Sequence, residues 1–307
     1  MSIFRTKFGA LLLLVLIASA VGLGAVVYRV DRATTPERVP QEMFDFASMQ
    51  MRVDEVTFSS VDGVELHGWW MPSLGDAPAI LLCHDIDSSK RSLVNLAIEL
   101  HAQGFSVLTF DFRGHGDSAG SRSSLGLAEK RDILGALDWL KLKNNGGPVG
   151  IFGAGMGAHA SVLAAAERRE LDVLVLDGLY PDVGFTLTRR VGEMRGWTGD
   201  LIAGTAGTAY LLLHGDAPNK ETAASLLGTL GGRDLLLLAP AHDTRLVERM
   251  QEMAGWLPVE ADSEGNLVVV PATLGEGLYG EQLARYHRRV AAFFSERLQS
   301  SQIARIR

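Results

Sequence analysis

The stretch that decides the fold is GIFGAGMGAHA, from Gly150 to Ala160. A short apolar run, Val149 to Phe152, leads into a turn rich in glycine, and an alanine-rich segment follows. The turn keeps both outer glycines of the G-x-S-x-G motif, in which a serine stands at a sharp turn between a strand and a helix. Gly155 occupies the position of that serine.

A glycine-rich turn between a strand and a helix can also bind a dinucleotide phosphate. That fingerprint, G-x-G-x-x-G, requires a spacing that GAGMGA does not keep, because its third glycine comes one residue too early. The turn also lies on a strand in the middle of the predicted sheet, whereas the fingerprint opens the first βα unit. The pattern therefore disfavours nucleotide binding, and we expect no cofactor.

Short apolar runs without polar alternation recur along the chain. Such runs are typical of strands that are covered on both faces, as in a parallel sheet. Helix-period stretches lie between them, which predicts an α/β fold with a mostly parallel central sheet and helices on both faces. A hairpin around Asp62-Gly63 precedes the runs. The runs are Ala79 to Cys83, Val107 to Phe110, Val149 to Phe152, Val173 to Leu176, Leu235 to Leu238 and Leu267 to Val270.

Two longer stretches identify a family. CHDIDSSKRSLVNLAIELHAQGFSVLTFDFRGHGDSAG and LGLAEKRDILGALDWL, together with the glycine turn, resemble the α/β-hydrolase superfamily, in its serine esterase, lysophospholipase and serine aminopeptidase-like branch. The resemblance covers about residues 52–297. It implies that Asp111, Arg113, Gly114 and Gly116 form a structural loop, and that Ser118 belongs to this loop and is not the nucleophile.

The resemblance implies a Ser-His-acid triad whose positions are degenerate here. The nucleophile position is Gly155, the acid is retained as Asp243 after the run Leu235 to Leu238, and the histidine position is Gly275. Loss of the serine or the histidine of such a triad lowers turnover by about a million-fold. We therefore expect that the chain is not an active serine hydrolase.

An alternative alignment takes LLLHGD, Leu211 to Asp216, as the acid-bearing turn and makes His242 the histidine. It leaves the apolar run Leu267 to Val270 and the last helix without a place in the fold. We therefore prefer the first alignment. Gly155 stands at the nucleophile position in both.

The resemblance also implies two backbone N–H donors for an oxyanion, at Ile86 and Met156. The glycine that usually precedes the first donor is replaced by Asp85, a carboxylate beside the place where negative charge develops. Other nucleophiles are weak candidates: Ser161 lies beyond the turn on its helix, and Cys83 lies in an apolar strand. No metal is expected, since His242 and Asp243 have no third ligand at a useful spacing.

Composition excludes some classes of partner. The chain has 307 residues with a net charge of -7, and no basic stripe crosses its body, so we expect no nucleic acid partner. Its single cysteine rules out an internal disulfide. A membrane is the expected partner, because an uncharged apolar run from Phe8 to Tyr28 is long enough to cross one. The small residues Ala18 to Ala20 offer a signal-cleavage alternative, but apolar character continues beyond them.

These features predict a single-pass membrane protein with its N-terminus inside and its domain outside. Its expected role is to bind a lipid-like or acyl ligand, or a protein partner, with the catalytic site degenerate. The alternative is an active esterase or lipase that uses an unrecognised nucleophile. The predicted parts are a membrane anchor (1–30), a tether (31–50), a hydrolase domain (51–299) with a cap near 181–229, and a basic tail (300–307).

Overall fold

The computed structural model describes residues 2–38, 44, 46, 51–192, 197–257, 266–274 and 277–299, with the side chains of 2–6, 197–203 and 299 excepted. The chain divides into two compact units. Unit one comprises Met1–Thr34 and Gly184–Lys220, and unit two comprises Thr35–Val183 and Glu221–Arg307.

Unit two is built on one sheet of eight strands in the order β1-β2-β4-β3-β5-β6-β7-β8. The β1–β2 and β2–β4 pairs are antiparallel and the other pairs are parallel. The strands are β1 (Asp54–Ser59), β2 (Glu65–Met71), β3 (Ala79–Cys83), β4 (Ser106–Phe110), β5 (Val149–Ala154), β6 (Leu171–Asp177), β7 (Asp234–Pro240) and β8 (Leu267–Val270). The mostly parallel sheet predicted from the apolar runs is therefore confirmed, and each run lies on a strand.

Nine α-helices lie in the described part of the chain. They are α1 (Ser2–Thr34), α2 (Val94–Ala102), α3 (Glu129–Lys143), α4 (Met156–Glu167), α5 (Val183–Val191), α6 (Trp197–His214), α7 (Ala223–Leu227), α8 (Thr244–Ala254) and α9 (Gly280–Phe294). A short 3-10 helix, Lys90–Leu93, precedes α2, and a π-helical turn, Ser295–Gln299, follows α9.

The alternation of side chains along β3 shows why its sequence is apolar throughout. Ile80 and Leu82 belong to a core that includes residues of α2 and α9. Leu81 points to the opposite face of the sheet, because successive side chains on a strand alternate, and it is equally buried. Both faces of the strand are thus covered, which is the condition that an uninterrupted apolar run predicts.

The preferred alignment places β7 and β8 next to each other at the end of the sheet, with α9 following β8. The alternative alignment is wrong, because Leu211 to His214 form the last turn of α6 and are not a strand. Residues 211–216 therefore cannot provide the acid-bearing turn that follows a strand.

Unit one contains α1 and α6, which contact each other. In α1, the stretch Lys7–Thr34 is long and apolar enough to cross a membrane. In its last turns, Val30 and Ala33 are buried. The helix also runs past the predicted end of the anchor at residue 30, to Thr34.

Part of the segment predicted as a tether belongs to unit two and makes specific contacts there. The guanidinium group of Arg38 donates hydrogen bonds to the backbone oxygens of Gly116, Ser118 and Gly120, at 3.1, 2.9 and 2.7 Å. The ring of Phe46 packs edge-on against Trp69. Specific contacts therefore hold this segment at two points.

Candidate functional site

The turn between β5 and α4 holds Gly155 in a backbone conformation that favours glycine. Its φ is +48° and its ψ is −107°, and Met156 begins the helix directly after it. The Gly155 N–H donates to the backbone oxygen of Asp177 at 2.8 Å, which fixes the turn against β6. A Cβ at Gly157 would overlap the carbonyl of Cys83, so the helix can approach β3 only with glycine there. The turn thus keeps its sharp geometry without a serine.

Two backbone N–H groups converge on one atom beside this turn. The N–H of Ile86 and the N–H of Met156 both donate to Oδ1 of Asp85, each at 2.7 Å. These are the two groups that the sequence predicts as oxyanion donors, and they come from loops that are far apart in the chain. A convergent pair of N–H groups is what an oxyanion hole requires. Here a carboxylate oxygen of the protein accepts both hydrogen bonds.

The carboxylate of Asp85 also fills the space in front of Gly155. An ideal Cβ built on Gly155 would overlap both the Cγ and the oxygens of Asp85. A serine at residue 155 and the observed position of Asp85 are therefore mutually exclusive. Gly155 leaves open the space that the Asp85 carboxylate fills. The two departures from the family pattern therefore depend on each other.

His84 supports the loop that carries Asp85. The Phe112 N–H donates to Nε2 of His84 at 3.1 Å, so Nε2 is an acceptor and the proton of the neutral ring lies on Nδ1. Nδ1 then donates to the backbone oxygen of Asp85 at 2.7 Å. The ring is buried, and burial lowers the pKa of His84 to about 3. The ring is therefore neutral at pH 7 and has a structural role, with both nitrogens engaged.

A buried ion pair fixes the other end of the same loop. Nζ of Lys90 donates to the carboxylates of Asp111 at 2.6 Å and Asp117 at 2.5 Å, and the Lys90 N–H donates to Asp111 at 2.8 Å. The side chain of Asp111 is fully buried. Ser118 donates to the Asp111 backbone oxygen at 2.6 Å and accepts from the His67 N–H at 2.9 Å. Ser118 therefore holds the loop together and is not placed as a nucleophile.

Sequence comparisons place this site in a family. A family model described as serine aminopeptidase, S33, matches residues 77–183. An uncharacterised protein of Mycobacterium tuberculosis is 37% identical over 118 residues, which are 37% of this chain and 41% of that protein. The lysophosphatidylserine lipase ABHD12 of Gallus gallus is 37% identical over 122 residues, 38% of this chain and 32% of that protein. The chain thus spans less than half the length of these relatives.

Comparison of structures extends the likeness to most of the chain. The esterase Pf2001 of Pyrococcus furiosus superposes with a TM-score of 0.65 and 22% identity, over 85% of this chain and 98% of that chain. A dienelactone hydrolase of Anabaena variabilis gives a TM-score of 0.56 and 20% identity, over 81% of this chain and 99% of that chain. The chain belongs to the α/β-hydrolase superfamily. Likeness at this level of identity shows the fold.

Among the remaining triad positions of this α/β-hydrolase fold, Asp243 is at the start of α8. Its carboxylate accepts a hydrogen bond from the Leu246 N–H at 3.0 Å, which caps the helix. A capping role accounts for an aspartate there without any catalysis. Gly275, the predicted histidine position, lies outside the described residues, so its role stays a prediction together with that of Asp243.

Asp177 was not predicted from the sequence to be a site residue. Asp177 ends β6, is fully buried, and pairs with Ala154 in the parallel register beside the elbow. Its carboxylate accepts from the Leu274 N–H and from the Tyr286 hydroxyl, both at 2.7 Å. It thus anchors the turn that leads to residue 275. The feature of the sequence that could have indicated Asp177 is its position directly after the apolar run Val173 to Leu176.

The other candidate nucleophiles are engaged or inaccessible. Cys83 is fully buried, and burial raises the pKa of its thiol, so the reactive thiolate is suppressed. Ser161 is buried in α4 and donates to the Gly157 backbone oxygen at 2.6 Å. His159, on the same helix, stacks on Tyr180 in the core. None of these side chains is placed to replace the serine.

Proposed function

We propose that this chain is a membrane-anchored member of the α/β-hydrolase superfamily that has lost hydrolase activity and acts by binding. The observation that carries the proposal is the position of the Asp85 carboxylate, whose Oδ1 accepts both predicted oxyanion donors. The chain has kept the fold, the elbow and the two N–H groups. What it lacks is a group that attacks a substrate and an open site for the developing charge.

Electrostatic repulsion at the site opposes ester hydrolysis. Ester hydrolysis through an acyl-enzyme develops a negative charge on the substrate oxygen, and removing one oxyanion donor lowers turnover by about 100- to 1,000-fold. In this chain both donors are occupied by an anion, and a second anion nearby is repelled. Gly155 supplies no nucleophile. These losses concern one catalytic unit, so they do not multiply, and loss of the nucleophile alone lowers turnover by about a million-fold.

For the ligand we propose a lipid-like molecule with an acyl chain, bound near the elbow. Support comes from the relatives, which include a lysophosphatidylserine lipase and structurally similar esterases. A membrane-anchored domain meets such molecules in the bilayer. The predicted cap, near residues 181–229, would contribute to selecting the ligand. The alternative is a protein partner. A measurement of lipid binding distinguishes between the two.

For the attachment we propose that α1 is an uncleaved single-pass anchor. Support comes from α1 itself, which is one continuous helix through the small residues Ala18 to Ala20 and on to Thr34. In its last turns Val30, Ala33 and Thr34 are buried, and the Thr34 hydroxyl donates to the Val30 backbone oxygen at 2.9 Å.

A fluorophosphonate probe tests the loss of activity, because it labels activated serines covalently. We expect no labelling of the purified full-length chain, and none of Gly155→Ser, because no histidine stands at residue 275 to activate the introduced serine. The matched control is the triple variant Asp85→Gly, Gly155→Ser, Gly275→His, which restores the missing groups and should label slowly. Labelling of the unmodified chain that disappears when one serine becomes alanine would show an active hydrolase.

Equilibrium dialysis against a lysophospholipid, with the full-length chain in detergent micelles, tests the binding. We expect saturable binding above empty micelles, with the lysophospholipid recovered intact. Recovery of free fatty acid shows catalysis. Binding no greater than that of empty micelles refutes the lipid ligand and favours a protein partner.

A further inference from the structure

The end of the apolar span is marked by residues that prefer the membrane–water boundary. Tyr28 is 65% exposed and is followed by Arg29 and Arg32, both exposed. Tyrosine is enriched at the headgroup level, and arginine favours the water-facing end of a span. If α1 spans a membrane, as proposed above, its boundary therefore lies near Tyr28.

Helix α6 is in contact with α1. In α1 the covered residues lie on both sides of Tyr28, since Val26 and Val27 are half-buried and Val30 is fully buried. In α6, Ala209 and Tyr210 are buried. Contact between these covered faces would hold α6 at the depth of the headgroups and the first carbons of the lipid chains.

The opposite side of α6 carries leucines that nothing in the described part of unit one covers. Leu212 is 79% exposed and Leu211 is 43% exposed. Together with the apolar surface of the α1 span, these exposed leucines form a surface that is suited to contact with lipid. Apolar side chains that are exposed beside a membrane span are stabilised when the bilayer surface covers them.

Arginines from two segments gather at the same end of α1. Arg29 donates to the Val191 backbone oxygen at 3.1 Å, and Arg190 donates to the Ala33 backbone oxygen at 2.9 Å, so α5 and the end of α1 are pinned together. Arg32 and Arg189 are also exposed. The stretches 26–34 and 182–193 contain these four arginines and three acidic residues, Asp31, Asp182 and Glu193. Clustered arginines next to a membrane helix attract anionic headgroups.

From these observations we propose that unit one is a membrane-docking module: α6 inserts Leu211 and Leu212 into the surface of an anionic bilayer, and the arginine cluster (Arg29, Arg32, Arg189 and Arg190) binds the phospholipid headgroups. This rests on the proposed anchor α1 and goes beyond it, because it makes the cap region part of the membrane attachment.

Site-specific fluorophores on the full-length chain in vesicles test the insertion. The native Cys83 is fully buried, so single cysteines introduced at exposed residues can be labelled selectively. The test residue is Leu212, with Leu14 on the span (64% exposed) and Leu142 on α3 (81% exposed) as references. The vesicles contain phosphatidylcholine with about 30 mol% phosphatidylserine. Quenching is measured with aqueous iodide and with nitroxide-labelled lipid.

We expect the Leu212→Cys label to behave like the Leu14→Cys label, with strong quenching by nitroxide lipid. Iodide quenching should be at least about three-fold weaker than at Leu142→Cys, as for a group taken out of water. Iodide quenching equal to that at Leu142→Cys, with Leu14→Cys still protected, overturns the docking of α6 and leaves the anchor intact. Iodide access at Leu14→Cys refutes the anchor itself and the docking with it.

Charge is tested in the same vesicles. Omitting phosphatidylserine, or changing Arg32 and Arg189 together to Ser, should increase iodide access at Leu212→Cys by about two-fold or more. The matched control is Arg249→Ser, an exposed arginine on α8, which should change nothing. Equal protection of the label with and without phosphatidylserine overturns the headgroup part of the proposal.

Discussion

Replacing Gly155 by alanine probes the arrangement at the elbow directly, because alanine adds only the Cβ that overlaps Asp85. The side chain at residue 155 and the carboxylate at residue 85 compete for one space. We expect Gly155→Ala to destabilise the chain, and Asp85→Gly to remove about half of that effect. The two substitutions are therefore expected to be strongly non-additive.

The magnitude follows from two contributions. The first is backbone strain, since a φ of +48° disfavours residues with a Cβ, by about 1–2 kcal/mol. The second is displacement of the Asp85 carboxylate, which breaks two hydrogen bonds that together contribute about 2 kcal/mol at a half-exposed site. Gly155→Ala should thus lower the free energy of unfolding by about 3–4 kcal/mol. In the Asp85→Gly background only the strain remains, about 1–2 kcal/mol.

Urea unfolding of the detergent-solubilised full-length chain measures these values. Trp69 and Trp70 are buried in the sheet, so tryptophan fluorescence reports the unfolding of unit two. A double-mutant cycle should give a coupling energy of about 2 kcal/mol between residues 85 and 155. Additivity within about 0.5 kcal/mol would show that the carboxylate does not occupy the space in front of Gly155.

Three further measurements address buried groups around the site. Tyr286→Phe removes a hydrogen bond to the buried Asp177 carboxylate and should lower the free energy of unfolding by about 1.5–3 kcal/mol in urea titrations. Cys83 should not react with a thiol-specific disulfide reagent at pH 8 in the native chain, yet react fully in denaturant; rapid native reaction contradicts its burial. Burial lowers the pKa of His159 to about 4, so between pH 6.5 and 4 only the unfolded chain binds this proton and stability falls as pH falls. His159→Gln should reduce that acid loss by about 3 kcal/mol, whereas the same change at the exposed His242 should leave it intact.

Much of the fold follows from local patterns. Ala79 to Cys83 reads as a strand covered on both faces because all five residues are apolar, and the sheet buries all of them. The glycine turn predicts a sharp connection from β5 to α4, and the structure has one at Gly155. These patterns work because burial on a sheet and a positive φ each restrict the residue types at a single position.

Other features depend on partners that are distant in the chain. The carboxylate of Asp177 could be noticed at the end of its strand, but its contacts come from Leu274 and Tyr286, about a hundred residues away. The helical form of Leu211 to His214 also escapes a local pattern, because LLLHGD has the apolar character of a strand followed by a turn. The packing of the helix that contains these residues, α6, with α1 is a tertiary contact.

The sequence by itself determined that a residue without a side chain stands at the elbow, since Gly155 is a covalent fact, and that a carboxylate stands where a glycine usually precedes the oxyanion donor. Only the tertiary structure decided that these two departures are one arrangement. Asp85 and Met156 are brought together because β3 and β5 are neighbours in the parallel sheet and end at the same edge. That proximity places the Asp85 carboxylate on both N–H groups and in the space that a serine would need.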